Sequence, residues 1–60
     1  MTATQQEIFN HLPADVRTLC IMMGLSRRAL YKHLTAMHKA GLIWYLTNGI
    51  IERAGKVAEL

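Results

Sequence analysis

Hydrophobic residues recur three and four positions apart through the first two-thirds of the chain, which is typical of amphipathic helices. Near the start, three apolar side chains share one helical face: Ile8, Phe9 and Leu12. A capping box over Thr4–Glu7 precedes them, and together these features predict a first helix from Gln5 to His11. Pro13 ends that helix, because proline disfavours a helical conformation of the residue before it.

Two further helices follow the first, each with its own start and stop signals. The second has an N-cap candidate in Asp15 and a glycine stop at Gly24. Its apolar positions are Val16, Leu19, Cys20 and Met23. The third is predicted from Ser26 to Ala40, with Ser26 as its cap and Gly41 as its terminator. Its apolar stripe consists of Leu30, Leu34 and Met37.

After the third helix the pattern changes to strand-forming residues. The segment Leu42–Thr47 is rich in aromatic and branched side chains, and Ile50–Arg53 reads as its return strand. Asn48-Gly49 between them is a strong signal for a two-residue hairpin turn. Leu12–Ala14 can add a very short edge strand, and the chain from Ala54 onward reads as a tail. The sequence therefore predicts an α+β domain of three helices followed by a β-hairpin.

A two-residue turn fixes which side chains share each face of the hairpin. It places Tyr45 opposite Glu52, and alternation along each strand then defines two faces. The predicted core face consists of Leu42, Trp44, Leu46 and Ile51. The predicted outer face is too apolar for plain solvent exposure, and it indicates contact with a partner subunit through Ile43, Tyr45 and Ile50.

Length and composition limit what the chain can be. Its 60 residues allow one domain, with a core over about residues 4–56 and a tail over residues 57–60. The longest apolar run, Leu42–Leu46, is far shorter than the roughly 20 residues that cross a bilayer. The polar N-terminus has no signal-peptide cations, so we expect a cytoplasmic protein. The single cysteine, Cys20, is expected to be a small packing residue.

The charges point more clearly to a function than the composition does. Seven Lys and Arg against four Asp and Glu give a net charge of +3. Opposite the stripe of the third helix lie Ser26, Arg27, Arg28, Tyr31, Lys32 and Thr35. Arginine can bind guanine through two hydrogen bonds, and lysine and hydroxyl groups bind bases or phosphates. Arg53 and Lys56, at and beyond the end of the hairpin, complete the predicted DNA-binding set.

The spacing of the second and third helices is that of a helix-turn-helix unit. A small residue sits at the predicted helix crossing, a glycine in the turn, a serine cap after it, and an apolar stripe beyond. These positions are Cys20, Gly24-Leu25-Ser26, Leu30, Leu34, Met37 and Gly41-Leu42-Ile43. With the hairpin that follows, this arrangement resembles the winged helix-turn-helix domains of small bacterial and phage transcription regulators, the MarR- and ArsR-like proteins among them, over about residues 5–56.

The resemblance implies a regulator that binds double-stranded DNA, with the helix over residues 26–40 in the major groove and the hairpin, or wing, on the flanking DNA. Two features depart from that pattern. Cys20 replaces the commoner alanine, and the hairpin tip carries no cation. Helix-turn-helix proteins of this size read two half-sites as dimers, so a homodimer is expected.

Other interpretations of the same residues stay open. The basic helix can be an ordinary solvated face, and the domain can be a protein-interaction module, for example a phage protein that docks on a host complex. A DNA-binding accessory of replication or recombination is a third alternative. No motif of an enzyme or of a small-molecule cofactor is present in the sequence. His33 and His38 fall on different helical faces, which argues against a metal site.

Overall fold

Three helices and a three-stranded antiparallel sheet form the part of the chain that the computed structural model describes, residues 1–55. In chain order the elements are α1 (Ala3–His11), β1 (Ala14–Asp15), α2 (Val16–Met23), α3 (Arg27–Lys39), β2 (Ile43–Tyr45) and β3 (Ile50–Arg53). The strands lie in the order β1-β3-β2. The predicted α+β class and the order of the helices and the hairpin are confirmed. The predicted tail, residues 57–60, lies outside the described residues.

Helix α1 begins two residues earlier than the sequence pattern predicted. The capping box is formed by Thr2 and Gln5, whose backbone amides each donate to the other's side chain, at 3.2 and 3.1 Å. The predicted box of Thr4 and Glu7 is therefore wrong. Both segments fit the same cap motif, and the earlier start adds helical residues while it still leaves Ile8 facing the core. The helix ends at His11, as predicted.

The caps of α2 and α3 are those that the sequence predicted. Asp15 accepts a hydrogen bond from the Thr18 amide at 2.7 Å, and Ser26 accepts one from the Ala29 amide at 3.2 Å. Gly24 ends α2 with φ of +65°, a left-handed conformation that glycine adopts at low cost. The turn between α2 and α3 is consequently short and fixed at both ends.

One hydrophobic core joins all three helices to the sheet. Its members are Ile8, Leu12, Ala14, Leu19, Leu30, Leu34, Met37, Ile43 and Ile51. Cys20 is half-buried and packs against this cluster, as expected of a small residue at a helix contact. The stripe predicted for the third helix is confirmed, because its three members are at most 1% exposed. The face of α3 opposite that stripe is thereby directed away from the core.

The hairpin has a different register from the predicted one. Tyr45 lies opposite Ile51, and Trp44 lies opposite Glu52. The connection has three residues, 47–49, because the Leu46 amide donates to the Ile50 carbonyl at 2.8 Å. Within it the Gly49 amide donates to the Leu46 carbonyl at 3.1 Å, and Gly49 has φ of +84°. A tight turn closed by a glycine in this conformation is the usual three-residue hairpin loop. A shift of one residue moves every side chain of one strand to the other face.

The short edge strand that the sequence indicated over Leu12–Ala14 is present, but it begins two residues later and ends one residue later. Ala14 and Asp15 pair with Ile51 and Ile50 of β3. Pro13 has no amide hydrogen to donate to such a ladder, so it precedes the strand instead of joining it. β3 is consequently the central strand of the sheet, and β1 and β2 are its edges.

Candidate nucleic-acid interface

The exposed face of α3 carries most of the side chains predicted to contact DNA. Ser26, Arg27, Arg28, Lys32 and Thr35 are exposed, and Tyr31 is 43% exposed. The structure therefore brings these six residues to one helix and its N-cap. Arg28, Lys32 and Thr35 lie on the side that the core does not cover. Arg27 shares a side with Leu34, seven residues later, and is exposed in the first turn of the helix. Lys39 is also exposed and follows Thr35 by four residues, which places it on the same face. The spacing of Lys39 from Lys32 could have identified it in the sequence.

Charge is segregated between α3 and the rest of the chain. Four of the seven cations, Arg27, Arg28, Lys32 and Lys39, lie in α3, and none of the four acids does. The remaining residues therefore hold three cations and four acids, a net charge of −1. The positive net charge of the protein thus comes entirely from this one helix.

The N-terminus of α3 adds to the positive potential of this face. The first hydrogen bond between backbone groups at this end runs from the Leu30 amide to the Ser26 carbonyl, at 2.9 Å. The amides of Arg27 and Arg28 precede it and have no carbonyl within the helix to bond. The positive end of the helix dipole therefore coincides with two arginine side chains. The Ser26 hydroxyl already serves as the N-cap, so its first role is structural.

An aromatic cluster flanks the basic face on the side of the hairpin. The rings of His38 and Tyr45 meet edge to face, with centroids 4.9 Å apart and an interplanar angle of 65°. Burial, and in second place the neighbouring Tyr31 phenol, raise the pKa of Tyr45 above its ordinary value near 10. Tyr31 and His38 are seven residues apart and so share one side of the helix. We name Tyr31, His38 and Tyr45 the aromatic flank.

Arg53 has a role that the sequence did not indicate. Its guanidinium donates to the carbonyls of Phe9 and Asn10, at 3.0 and 3.3 Å, and lies 5.2 Å from the centroid of the Phe9 ring. These carbonyls belong to the last turn of α1, where the Phe9 carbonyl also accepts from the amide of the C-cap residue Leu12, at 3.3 Å. The guanidinium of Arg53 therefore connects β3 to the end of α1, whereas the sequence predicted a DNA contact for this side chain. Lys56 lies outside the described residues.

The predicted subunit interface needs a correction. Ile43 is only 1% exposed and belongs to the core, so its assignment to an outer face is wrong. The change of register is the cause, since it places Trp44 outside instead, 49% exposed. Tyr45 is 43% exposed, and Ile50 is half-buried beside Asp15 of β1.

Within residues 1–55, no group of three or more His, Cys, Asp or Glu side chains is placed to hold a metal ion. None of the helices in that part of the chain has the length and apolar character of a membrane span. Comparisons with protein families, curated protein sequences and solved structures gave no match.

Proposed function

We propose that this protein is a winged helix-turn-helix domain that binds double-stranded DNA and regulates transcription. The observation that carries the proposal is α3 itself, which carries four exposed cations and no acid on a domain that is otherwise slightly acidic. An α-helix fits the major groove of B-form DNA, which is about 12 Å wide. A helix fixed to the core by a buried stripe presents its opposite face as a rigid surface to that groove.

The side chains of this face suit the two kinds of contact that a DNA-binding helix makes. Arg27 and Arg28, in the first turn, are placed to reach base edges, since the N-terminal part of a recognition helix contacts the bases. Lys32, Thr35 and Lys39, further along, are suited to phosphates. The hairpin tip has no cation, so we assign the main electrostatic contribution to α3.

We also propose that the DNA-bound form is a homodimer. One protomer offers one recognition helix, and helix-turn-helix dimers read two half-sites roughly 34 Å apart. Exposed apolar side chains that could be buried between protomers are Ile21 and Met22 on α2 and Trp44 on β2.

Fluorescence anisotropy with a labelled random-sequence duplex tests DNA binding. Arg28→Ala and Lys32→Ala should each weaken binding without unfolding the domain, because both side chains point away from the core. The loss should be about 1–3 kcal/mol if Arg28 reads a base, and Lys32→Ala should reduce the salt slope by about one, as expected for a phosphate contact. Arg17→Ala, an exposed cation of α2, is the matched control and should cost less. An equal loss in all three variants would show that net charge, and not the face of α3, governs binding.

The salt dependence gives a second, independent readout. With roughly four to six phosphate contacts per protomer, the logarithm of affinity should fall against the logarithm of salt concentration with a slope near −4 to −5. The second candidate function is a protein-interaction module, which the exposed Ile21 and Met22 on α2 favour. Undetectable duplex binding at low salt would reject the DNA proposal in favour of that candidate.

A further inference from the structure

The aromatic flank adjoins the basic face of α3, and two of its members, His38 and Tyr45, lie outside the set predicted to contact the duplex. Two of its rings, Tyr31 and Tyr45, are each 43% exposed, and His38 is exposed as well. His38 and Tyr45 form an edge-to-face pair. In such a pair, the ring whose edge contacts its partner has both of its own faces uncovered by that partner. Aromatic faces that adjoin a row of cations are typical of proteins that stack unpaired bases.

We propose that the aromatic flank binds an unpaired base next to the duplex held by α3, so that the protein prefers DNA with a single-stranded overhang over blunt duplex. This inference rests on the proposed function, because the cations of α3 must hold the adjoining phosphates. Stacking on a ring needs no particular base, since every base has an aromatic face. The preference therefore concerns DNA structure and not sequence.

Charge distinguishes the aromatic flank from the other exposed aromatic residue of the hairpin. Tyr45 and Trp44 are neighbours on β2, so their side chains point to opposite faces of the strand. Tyr45 points to α3, where it meets His38, and Lys39 is the next residue of that helix. Trp44 lies opposite Glu52, whose carboxylate repels a phosphate backbone. A nucleic acid that approaches α3 therefore meets Tyr45 and not Trp44.

Two labelled probes test the preference: a blunt duplex, and the same duplex with a short thymine overhang. The wild-type chain should bind the overhang probe roughly fivefold or more tightly than the blunt one, the lower end of what one stacked base contributes. Tyr45→Leu should bring the ratio of the two affinities to about one. Tyr45→Phe should keep the wild-type ratio, because phenylalanine retains the ring and loses only the hydroxyl. Trp44→Leu is the matched control on the opposite face and should also keep it.

Tyr31→Leu should also reduce the ratio of overhang affinity to blunt-duplex affinity. Because Tyr31 lies on α3 and not in the hairpin, this variant shows whether the Tyr45→Leu result comes only from a distorted hairpin. Equal wild-type binding of the two probes would overturn the inference. So would a loss in Tyr45→Phe as large as in Tyr45→Leu, since that would assign the effect to a hydroxyl–phosphate hydrogen bond. If blunt-duplex binding depends on Arg28 and Lys32 while the overhang adds nothing, this inference fails and the proposed function stands. If the wild-type chain binds neither probe, both fail.

Discussion

Replacing Arg53 should destabilise the domain by a large fraction of its total stability. The guanidinium donates to two carbonyls of the last turn of α1 and lies over the Phe9 ring. A hydrogen bond from a charged donor contributes about 1.5–3 kcal/mol when buried, and the half-buried position of Arg53 reduces that figure. A cation over an aromatic ring adds about 0.5–1 kcal/mol.

Because these contributions share one side chain, we expect Arg53→Met to cost about 1.5–3 kcal/mol in total. A domain of 60 residues has roughly 3–9 kcal/mol to lose. Methionine keeps an apolar stem of similar length, so the loss reports mainly the guanidinium contacts. Arg53→Lys keeps the charge but not the planar fork, and should lose about half as much.

Urea unfolding followed by circular dichroism at a helical wavelength measures these free energies. Arg17→Met, which removes an exposed cation from α2, is the control and should change stability by less than about 0.5 kcal/mol. Equal stability of Arg53→Met and Arg17→Met would refute the assignment of Arg53 to the end of α1. Folded Arg53→Met should lose no more affinity for duplex DNA than Arg17→Met does, which separates this role from the DNA contact predicted from sequence.

Three further predictions concern the caps and the helix contact, and one concerns assembly. Hydrogen bonds from the Thr18 side chain and amide lower the pKa of Asp15 in the folded protein. The carboxylate therefore stabilises the fold above pH 3.8, and this stabilisation is lost as the pH falls through the pKa of the folded state. In an acid titration of the free energy of unfolding, Asp15→Asn should remove this pH-dependent contribution. Gly24→Ala should cost about 1–2 kcal/mol by thermal melting, through backbone strain alone, since no described atom lies within 4 Å of an added Cβ. Cys20→Ala should fold normally and Cys20→Leu should lose about 1 kcal/mol by urea unfolding; normal stability of the leucine variant would show that the site is open. Sedimentation on DNA should give a dimer, and a monomer at every concentration would remove the homodimer proposal.

The helices were predictable because each depends on local signals. Asp15, Gly24 and Ser26 act within one helical turn of themselves, and the stripe of α3 is a plain 3.6-residue periodicity. The start of α1 was missed because two cap motifs overlap, and only packing of the whole helix decides between them. The exposed basic face of α3 followed directly from its stripe, so that part of the candidate site could also be predicted.

The hairpin and the aromatic flank could not be predicted from local pattern. Asn48-Gly49 suits both a two-residue and a three-residue loop, and the choice between them reverses the faces of β2. The contact of Tyr45 with His38 depends on that choice, since Tyr45 reaches α3 only in the observed register. The contact of Arg53 with α1 joins residues 44 positions apart, a separation at which sequence periodicity carries no information.

Asp15 belongs to the sheet and to a helix at once. It is the last residue of β1, paired with Ile50, and its carboxylate caps α2. No connecting residue separates the strand from the helix, so no loop residue at this junction can accommodate an insertion or a deletion. An inserted residue here would break either the strand pairing or the cap, whereas the exposed loop at Asn48 can accept added residues. A fluorescent label or an affinity tag within the chain therefore belongs in the hairpin tip.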